Sequence, residues 1–206
     1  MHIAVIMDGN RRFGKENNVD GHEAGFEAMV VLLRALSEKK VDMVSLFVWS
    51  THNWQRSARE LASFRTLVKS RQEPLMVLAR EHSIVFRVVT TDTSHFAGPE
   101  LASLRELEQR TQHHTGMTCH LCCSYSSRQE MQQAALKGSP MEHHLLIQTP
   151  VDILLRTAEQ RLSDFLLWQS AFAEIYFWKG LFPAFDKAAL DKVLEAYEHR
   201  ERRFGR

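Results

Sequence analysis

Ile3-Ala4-Val5-Ile6-Met7-Asp8-Gly9-Asn10-Arg11-Arg12-Phe13 is the stretch whose reading decides the fold. The apolar run from Ile3 to Met7 has strand length and no alternation, which suits a strand covered on both faces. It stops at Asp8-Gly9, where a polar, basic turn begins. In α/β sheets ligands bind beyond the carboxyl ends of strands, so a site is expected at this turn. It offers a carboxylate for a hard cation, a glycine that lets backbone approach a ligand, and two guanidiniums shaped for bidentate phosphate contacts. Taken alone, these residues read equally well as a solvated Asp-Gly turn with surface arginines.

Further strands of the same kind follow at Val44 to Trp49, Ile84 to Thr90, Met117 to Cys123 and Val151 to Leu155. Between them run helical patterns. Met29, Leu32, Leu33 and Leu36 recur at i, i+3, i+4, i+7, as do Leu190, Val193, Leu194 and Tyr197. Strand and helix alternate, which predicts an α/β layer fold with a mostly parallel sheet. A chain of 206 residues supports one core, so residues 1–206 are expected to form a single domain. Asp20 is placed to cap the first long helix, with Glu23 reaching back as a capping box. His22 then lies in a helical first turn, where free N–H groups favour an anion. The stretch 137–149, with Gly138 and Pro140, reads as a mobile loop.

Composition excludes more than it selects. With 44% apolar and 25% charged residues the chain reads as an ordinary folded protein. A formal net charge of +1 gives no electrostatic argument for nucleic acid or an anionic membrane, so an anion site must be local. The apolar run Met43 to Trp49 is far short of the ~20 residues of a membrane-spanning helix. No charged leader, apolar stretch and cleavage site precede His2, so the expected location is the cytoplasm. Cys119 and Cys122 form a C-x-x-C near His113, His114 and His120, half of a possible zinc site. A buried strand carrying reduced thiols is the stronger reading of Met117 to Tyr125.

Two more strand ends carry polar clusters. Ser50-Thr51-His52-Asn53-Trp54-Gln55-Arg56 places hydroxyl, imidazole, amide and guanidinium groups within seven residues. Arg156-Thr157-Ala158-Glu159-Gln160-Arg161-Leu162-Ser163 supplies two arginines and a serine suited to a second diphosphate. Three such loops at successive strand ends imply one common site.

At this point the motifs resemble the cis-prenyltransferase family of undecaprenyl and dehydrodolichyl diphosphate synthases. The resemblance is carried by Ile6-Met7-Asp8-Gly9-Asn10-Arg11-Arg12-Phe13, Gly21-His22 with Gly25, and Ser50-x-x-Asn53-Trp54-x-Arg56 with Glu60. It continues through Arg156-Thr157, Arg161 to Gln169, Ala173 to Phe177, Pro183-Ala184-Phe185 and Arg200-x-Arg202-Arg203-Phe204-Gly205. It implies a parallel six-stranded sheet flanked by helices, with a hydrophobic tunnel between sheet and helices. Asp8 would bind Mg²⁺ with Glu174. Gly9, Asn10, Arg11, Arg12, His22 and Arg56 would hold the allylic diphosphate, with Phe13, Thr51, His52 and Trp54 in the same substrate site. Arg156, Arg161, Leu162 and Ser163 would hold the second isoprenoid diphosphate. Ser50 and Asn53 would lie near the reacting carbons, with Asn53 assisting proton removal. The resemblance also implies a homodimer in which Arg203 and Gly205 reach the partner's active site. Without it, Glu174 reads as a paired surface acid and Trp54 and Trp168 as core aromatics.

The pattern departs from the family in places. Arg-Thr-Gly-Gly-Glu becomes Arg156-Thr157-Ala158-Glu159, one residue shorter, Gln160 replaces a histidine, and Asn-Tyr-Gly-Gly-Arg becomes Ser124-Tyr125-Ser126-Ser127-Arg128. His52 replaces a glutamate and Ser57 a proline. These changes keep a second enzymatic reading open, an irregular, lavandulyl-type condensation of two allylic units, because small displacements of a nucleophile redirect chemistry. A third reading is a non-catalytic partner subunit. On the main reading, Val48 or Trp49 narrows the tunnel, only one of the two facing it because strand residues alternate. Arg65, Lys69 and Gln72 on one face of a helix from 57 to 82 would, if turned inward, stop a growing hydrocarbon early. The expected products are therefore short.

Overall fold

The structure, a computed structural model, describes residues 1–201; Arg203 and Gly205 lie outside them. Six strands form one sheet: β1 (His2–Ile6), β2 (Met43–Ser50), β3 (Val85–Val89), β4 (Thr118–Tyr125), β5 (Ile153–Thr157) and β6 (Glu174–Trp178). Their order is β3-β4-β2-β1-β5-β6, and every pairing is parallel. Seven α-helices cover the sheet among the described residues: α1 (Asn10–Asn17), α2 (Gly21–Glu38), α3 (Ala58–Ser70), α4 (Gln72–His82), α5 (Pro99–Thr111), α6 (Ser127–Lys137) and α7 (Lys187–Glu198).

All five residues of β1 are buried, the apolar Ile3 to Ile6 as expected and His2 with its ring hydrogen-bonded. Ile3 and Val5 face one core with Phe26, Met29, Leu32, Leu33 and Leu36 of α2. Ala4 and Ile6 face the other with Leu154, Phe165 and Leu166. Each fully buried leucine of this kind contributes roughly 1.5–3 kcal/mol. From β1 the chain moves to one side, to β2, and after β5 to the other, to β6. The reversal falls between β1 and β5, so the carboxyl ends of these two strands flank the crevice where a ligand belongs.

Several expectations are corrected. The apolar runs reveal five strands, and β6 is the sixth; it lies at the sheet edge, where Ile175 and Phe177 stay exposed, so its sequence lacks a strand's continuous burial. The helix expected over 57–82 breaks at Arg71 into α3 and α4. Asp20 does cap α2, accepting from the backbone N–H groups of His22 and Glu23. The Glu23 side chain, however, pairs with Arg71 rather than closing a capping box. Cys119 faces the first core and Cys122 the second, because residues three apart on a strand point to opposite sides. One ion cannot take both, and burial raises the Cys122 thiol pKa well above its ordinary value.

The segment 137–149 is also tied down. A 3₁₀ turn spans Met141–His144, and Leu145 and Ile147 are buried. The buried Glu130 carboxylate of α6 accepts from the N–H groups of Leu146 and Ile147, from Tyr125 Oη at 2.5 Å and from Gln169 Nε2 at 3.1 Å. A carboxylate with four donors is satisfied without a cation, and it locks this loop to the sheet.

Candidate active site

The Asp8 turn sits beyond β1, directly beside the end of β5, since Ile6 pairs with Arg156 in the sheet register. Thr157 Oγ1 accepts from the Asp8 N–H at 2.9 Å and donates to the Asp8 carbonyl at 2.7 Å, which fixes the turn's backbone. Gly9 then adopts φ 104°, a left-handed conformation costly to any residue with a Cβ, and a Cβ there would meet Leu181 at 2.9 Å. Asp8 Oδ1 accepts from the Gly9 N–H at 2.7 Å, and Asp8 Oδ2 accepts from Arg156 Nη2 at 2.8 Å. Arg156 is only 2% exposed; its other terminal nitrogen donates to the Arg161 carbonyl and to Ser163 Oγ. Burial lowers its pKa and the Asp8 contact counters this.

One cavity of about 660 Å³ opens at these strand ends. From the first loop, Asp8, Gly9, Asn10, Arg11 and Arg12 line it, with His22 from the first turn of α2. From β2 and the turn after it come Ser50, His52, Asn53 and Arg56. Arg156, Arg161 and Ser163 arrive from β5 and its following loop. The three clusters read from the sequence therefore meet in one place. Phe13, Thr51, Trp54 and Leu162 do not line the cavity: Trp54 is a core residue whose indole N–H donates to Ser124 Oγ at 2.8 Å, and Leu162 packs on the second core. Asn53 Oδ1 accepts from the Ser50 N–H at 2.9 Å, so its amide nitrogen, a donor, is the group left for a ligand.

The mouth is strongly cationic. Seven arginines line the cavity, and sequence reading missed two of them as site residues, Arg71 and Arg128. Arg71 lies at the break between α3 and α4, away from any strand end, whereas Arg128 follows the carboxyl end of β4 by three residues, in the first turn of α6, so its position after a strand was a signal that could have found it. Glu159 sits between two predicted site arginines, 3.1 Å from Arg12 and 3.0 Å from Arg161. Its loop is strained, with Ala158, Ser163, Asp164 and Leu166 all at positive φ. Burial, the largest influence, lowers the His22 pKa, and the nearby Arg56 adds to this while Asp20 opposes it.

Behind the mouth the cavity wall is apolar, built from residues such as Phe26, Met29, Val48, Leu67, Leu75 and Leu121. Val48 and Trp49 both face it, against the alternation expected of a strand. The pairing of β2 with β4 shifts register between Phe47 and Ser50, a β-bulge that turns two successive side chains to one side. Trp49 stacks on Phe64 of α3 with ring centroids 3.9 Å apart. Arg65, Lys69 and Gln72 do not point inward. Arg65 and Lys69 flank the buried Glu100 carboxylate of α5 at 4.0 and 3.9 Å, and Gln72 accepts from Ser103, because Phe64, Leu67 and Val68 occupy the inward face.

Glu174 is likewise not beside Asp8. It opens β6 opposite Ile153, which is opposite Ile3, five residues before Asp8. At about 3.3 Å per residue the two acids lie roughly 16 Å apart along the strands. Glu174 Oε2 instead accepts from Arg200 Nε at 3.0 Å. Among the described residues no cluster of three or more His, Cys, Asp or Glu side chains could cage a metal ion.

Comparison with known proteins gives consistent results. Residues 6–205 match the Prenyltransf family model, whose description is undecaprenyl diphosphate synthase. The chain is 30% identical to the ditrans,polycis-undecaprenyl-diphosphate synthase ((2E,6E)-farnesyl-diphosphate specific) of Haemophilus influenzae, covering 99% of this chain and 94% of the relative. It is 31% identical to the Escherichia coli K12 enzyme of the same name, over 99% and 89%. Among solved structures, lavandulyl diphosphate synthase from Lavandula x intermedia, in complex with dimethylallyl diphosphate, superposes with a TM-score of 0.93. Identity there is 28% and coverage 100% of this chain and 98% of that one. A probable undecaprenyl diphosphate synthase from Campylobacter jejuni superposes with a TM-score of 0.85 at 29% identity, with the same coverage.

Proposed function

Because this chain belongs to the cis-prenyltransferases, the family of undecaprenyl diphosphate synthases, we propose that it joins C5 isoprenoid diphosphates into a short product. The allylic substrate is one such as dimethylallyl diphosphate, the nucleophile is isopentenyl diphosphate, and pyrophosphate leaves. The observation that carries this reading is the cavity where the three loops meet, arginine-rich at the mouth and apolar behind, with the Trp49–Phe64 stack in its wall. Its volume of about 660 Å³ falls within the ~300–1,000 Å³ of ordinary small-ligand sites, so products of about two or three isoprene units fit the burial it provides.

The reaction breaks the allylic C–O bond, sends the electron pair to the diphosphate, forms a C–C bond to the alkene of the nucleophile and releases a proton. Negative charge grows on the leaving group. Arg11, Arg12, Arg56, His22 and the Asn10 loop are read as its fixed donors, which stabilise that charge without reorganising. Arg156, Arg161 and Ser163 are read as holding the nucleophile, with Ser50 and the Asn53 amide near the reacting carbons. Asp8 is the carboxylate that would hold Mg²⁺, an ion commonly bound by one or two carboxylates together with substrate phosphates. Bound there, Mg²⁺ would supply charge neutralisation at the departing diphosphate.

A homodimer is part of this reading. Trp168, Phe172, Ile175 and Phe177 are large apolar side chains left 40–73% exposed on and just before the edge strand β6, a surface that favours a partner. Glu174 and its partner Arg200 lie on this edge. Among the described residues no helix is long and apolar enough to cross a membrane.

The shortened loop from Arg156 to Arg161, with Ala158 at φ 68°, supports a second reading, the irregular condensation of two allylic units. So does the overlap with the lavandulyl diphosphate synthase structure. One experiment separates the readings: purified protein with Mg²⁺ and dimethylallyl diphosphate, alone and with isopentenyl diphosphate, with products identified by mass spectrometry. Products requiring isopentenyl diphosphate and ending at two or three units support the main reading. Turnover without it selects the irregular reading, and long polyprenyl products refute the short-product assignment.

A further inference from the structure

Six of the seven arginines lining the cavity are held by carboxylates: Arg11 by Glu60, Arg12 by Asp8 and Glu159, Arg71 by Glu23, Arg128 by Asp164, Arg156 by Asp8 and Arg161 by Glu159. Arg56 is the exception among the described residues. Its side chain makes no ion pair or hydrogen bond; its guanidinium carbon lies 4.8 Å from the centre of the Trp49 ring. The same ring is stacked on Phe64 at 3.9 Å with 15° between planes, and Trp49 is 3% exposed. The indole is therefore closely packed. Arg56 is equally fixed at its backbone, where its N–H donates to the Asn53 carbonyl at 3.1 Å just before Ser57 caps α3. Only the long side chain is left to order, and the ring orders it.

We propose that Trp49 is a positioning residue for Arg56: the β-bulge turns its indole into the cavity, where it presets the guanidinium for the allylic diphosphate. The proposal rests on the reading above that Arg56 binds that diphosphate. A carboxylate would also fix an arginine, but it would occupy the donor edge and have to be displaced by an incoming anion. A ring face holds the guanidinium plane and leaves all five N–H donors free. Among the described residues Arg56 is thus the cavity arginine with no ion-paired carboxylate to displace. Burial, and after it the neighbouring Arg11, press its pKa down from the ordinary value while Glu60 and Asp8 oppose them, and a bound anion would act in the same sense as the two carboxylates. The bulge is required, since regular alternation would send either Val48 or Trp49 to the other side of the sheet.

The test is a double-mutant cycle on inorganic pyrophosphate affinity, measured by calorimetry with wild type, W49L, R56A and W49L/R56A, alongside the Michaelis constant for dimethylallyl diphosphate. W49L is expected to weaken binding by about five- to tenfold, the cost of ordering a free arginine side chain. R56A should weaken it at least as much, and the double variant no more than R56A alone. W49F, which keeps a ring face, should stay within about twofold of wild type. R56K keeps the charge but not the planar stack and should lose what W49L loses; because it leaves the core intact, it tests the same contact if W49L fails to fold. Independent, multiplying effects of W49L and R56A, or wild-type affinity in R56K, overturn the proposal. If R56A itself binds pyrophosphate and dimethylallyl diphosphate normally, the assignment of Arg56 to the diphosphate falls, and this inference with it.

Discussion

Asp8 and Arg156 meet at 2.8 Å from neighbouring strands on either side of the point where the sheet's connections reverse direction. Arg156 is almost wholly buried, so Asp8 neutralises an interior cation, and on the proposed reading the same carboxylate would also hold a divalent ion. Asp8→Ala should cut turnover by about 100- to 1,000-fold, the scale of losing one preorganised electrostatic group. It should also lower stability by roughly 1–3 kcal/mol, because Arg156 is left buried with an unpaired donor. Steady-state rates and urea unfolding of the same variant check both. Near wild-type activity, or full activity in EDTA, would refute the metal role.

Arg161 stands at the far side of the mouth, 62% exposed and 3.0 Å from Glu159, while its own carbonyl accepts from Arg156. Arg161→Ala is expected to raise the Michaelis constant for isopentenyl diphosphate by about tenfold, and that for the allylic diphosphate much less. The reverse ordering would mean that the two diphosphate sites have been exchanged.

Glu130 holds four donors at once and links α6, β4 and the chain from Leu145 to Gln169. Its replacement by Ala leaves several buried donors unpaired and should cost roughly 3 kcal/mol or more. Glu130→Gln should fall between, since an amide keeps one acceptor oxygen. Chemical denaturation gives the ranking, and equal stability of all three proteins would show that the clamp is not structural.

A chain of buried polar groups crosses the second face of the sheet. His2 Nε2 lies 2.8 Å from Ser45 Oγ, which lies 3.0 Å from His120 Nδ1. Burial, reinforced by the neighbouring His2 and Arg87, lowers the His120 pKa from 6.5 to about 4, and burial also lowers that of His2. A histidine whose folded pKa is depressed binds fewer protons folded than unfolded, so stability rises with pH between the two values. Stability should therefore be full above pH 6.5 and decline as pH falls toward 4, with His120 contributing on the order of 3 kcal/mol. His120→Asn should flatten that slope in unfolding measured across this window. An unchanged slope would place the acid sensitivity elsewhere.

What the sequence by itself determined is what local chemistry controls. Short runs, several nearly continuous in apolar residues, marked β1 to β5, the period of α2 and α7 marked their buried faces, and the Asp8-Gly9 turn was legible because it follows a strand directly. The convergence of three polar loops was also legible, since parallel strands carry all their carboxyl ends to one side of a sheet. The edge strand β6 was hidden, because a half-exposed strand loses the continuous burial that identifies it. Tertiary structure alone decided the rest. Whether Val48 and Trp49 share a face depends on register with β4, some seventy residues away, and no local pattern encodes a bulge. Arg65 and Lys69 face Glu100 rather than the cavity because α5 offers a carboxylate there. Glu174 is far from Asp8 because strand pairing sets it at the opposite end of the sheet. Periodicity is fixed by backbone geometry within a few residues, whereas register, pairing and inward face are chosen by contacts between distant segments that form only when the whole core closes.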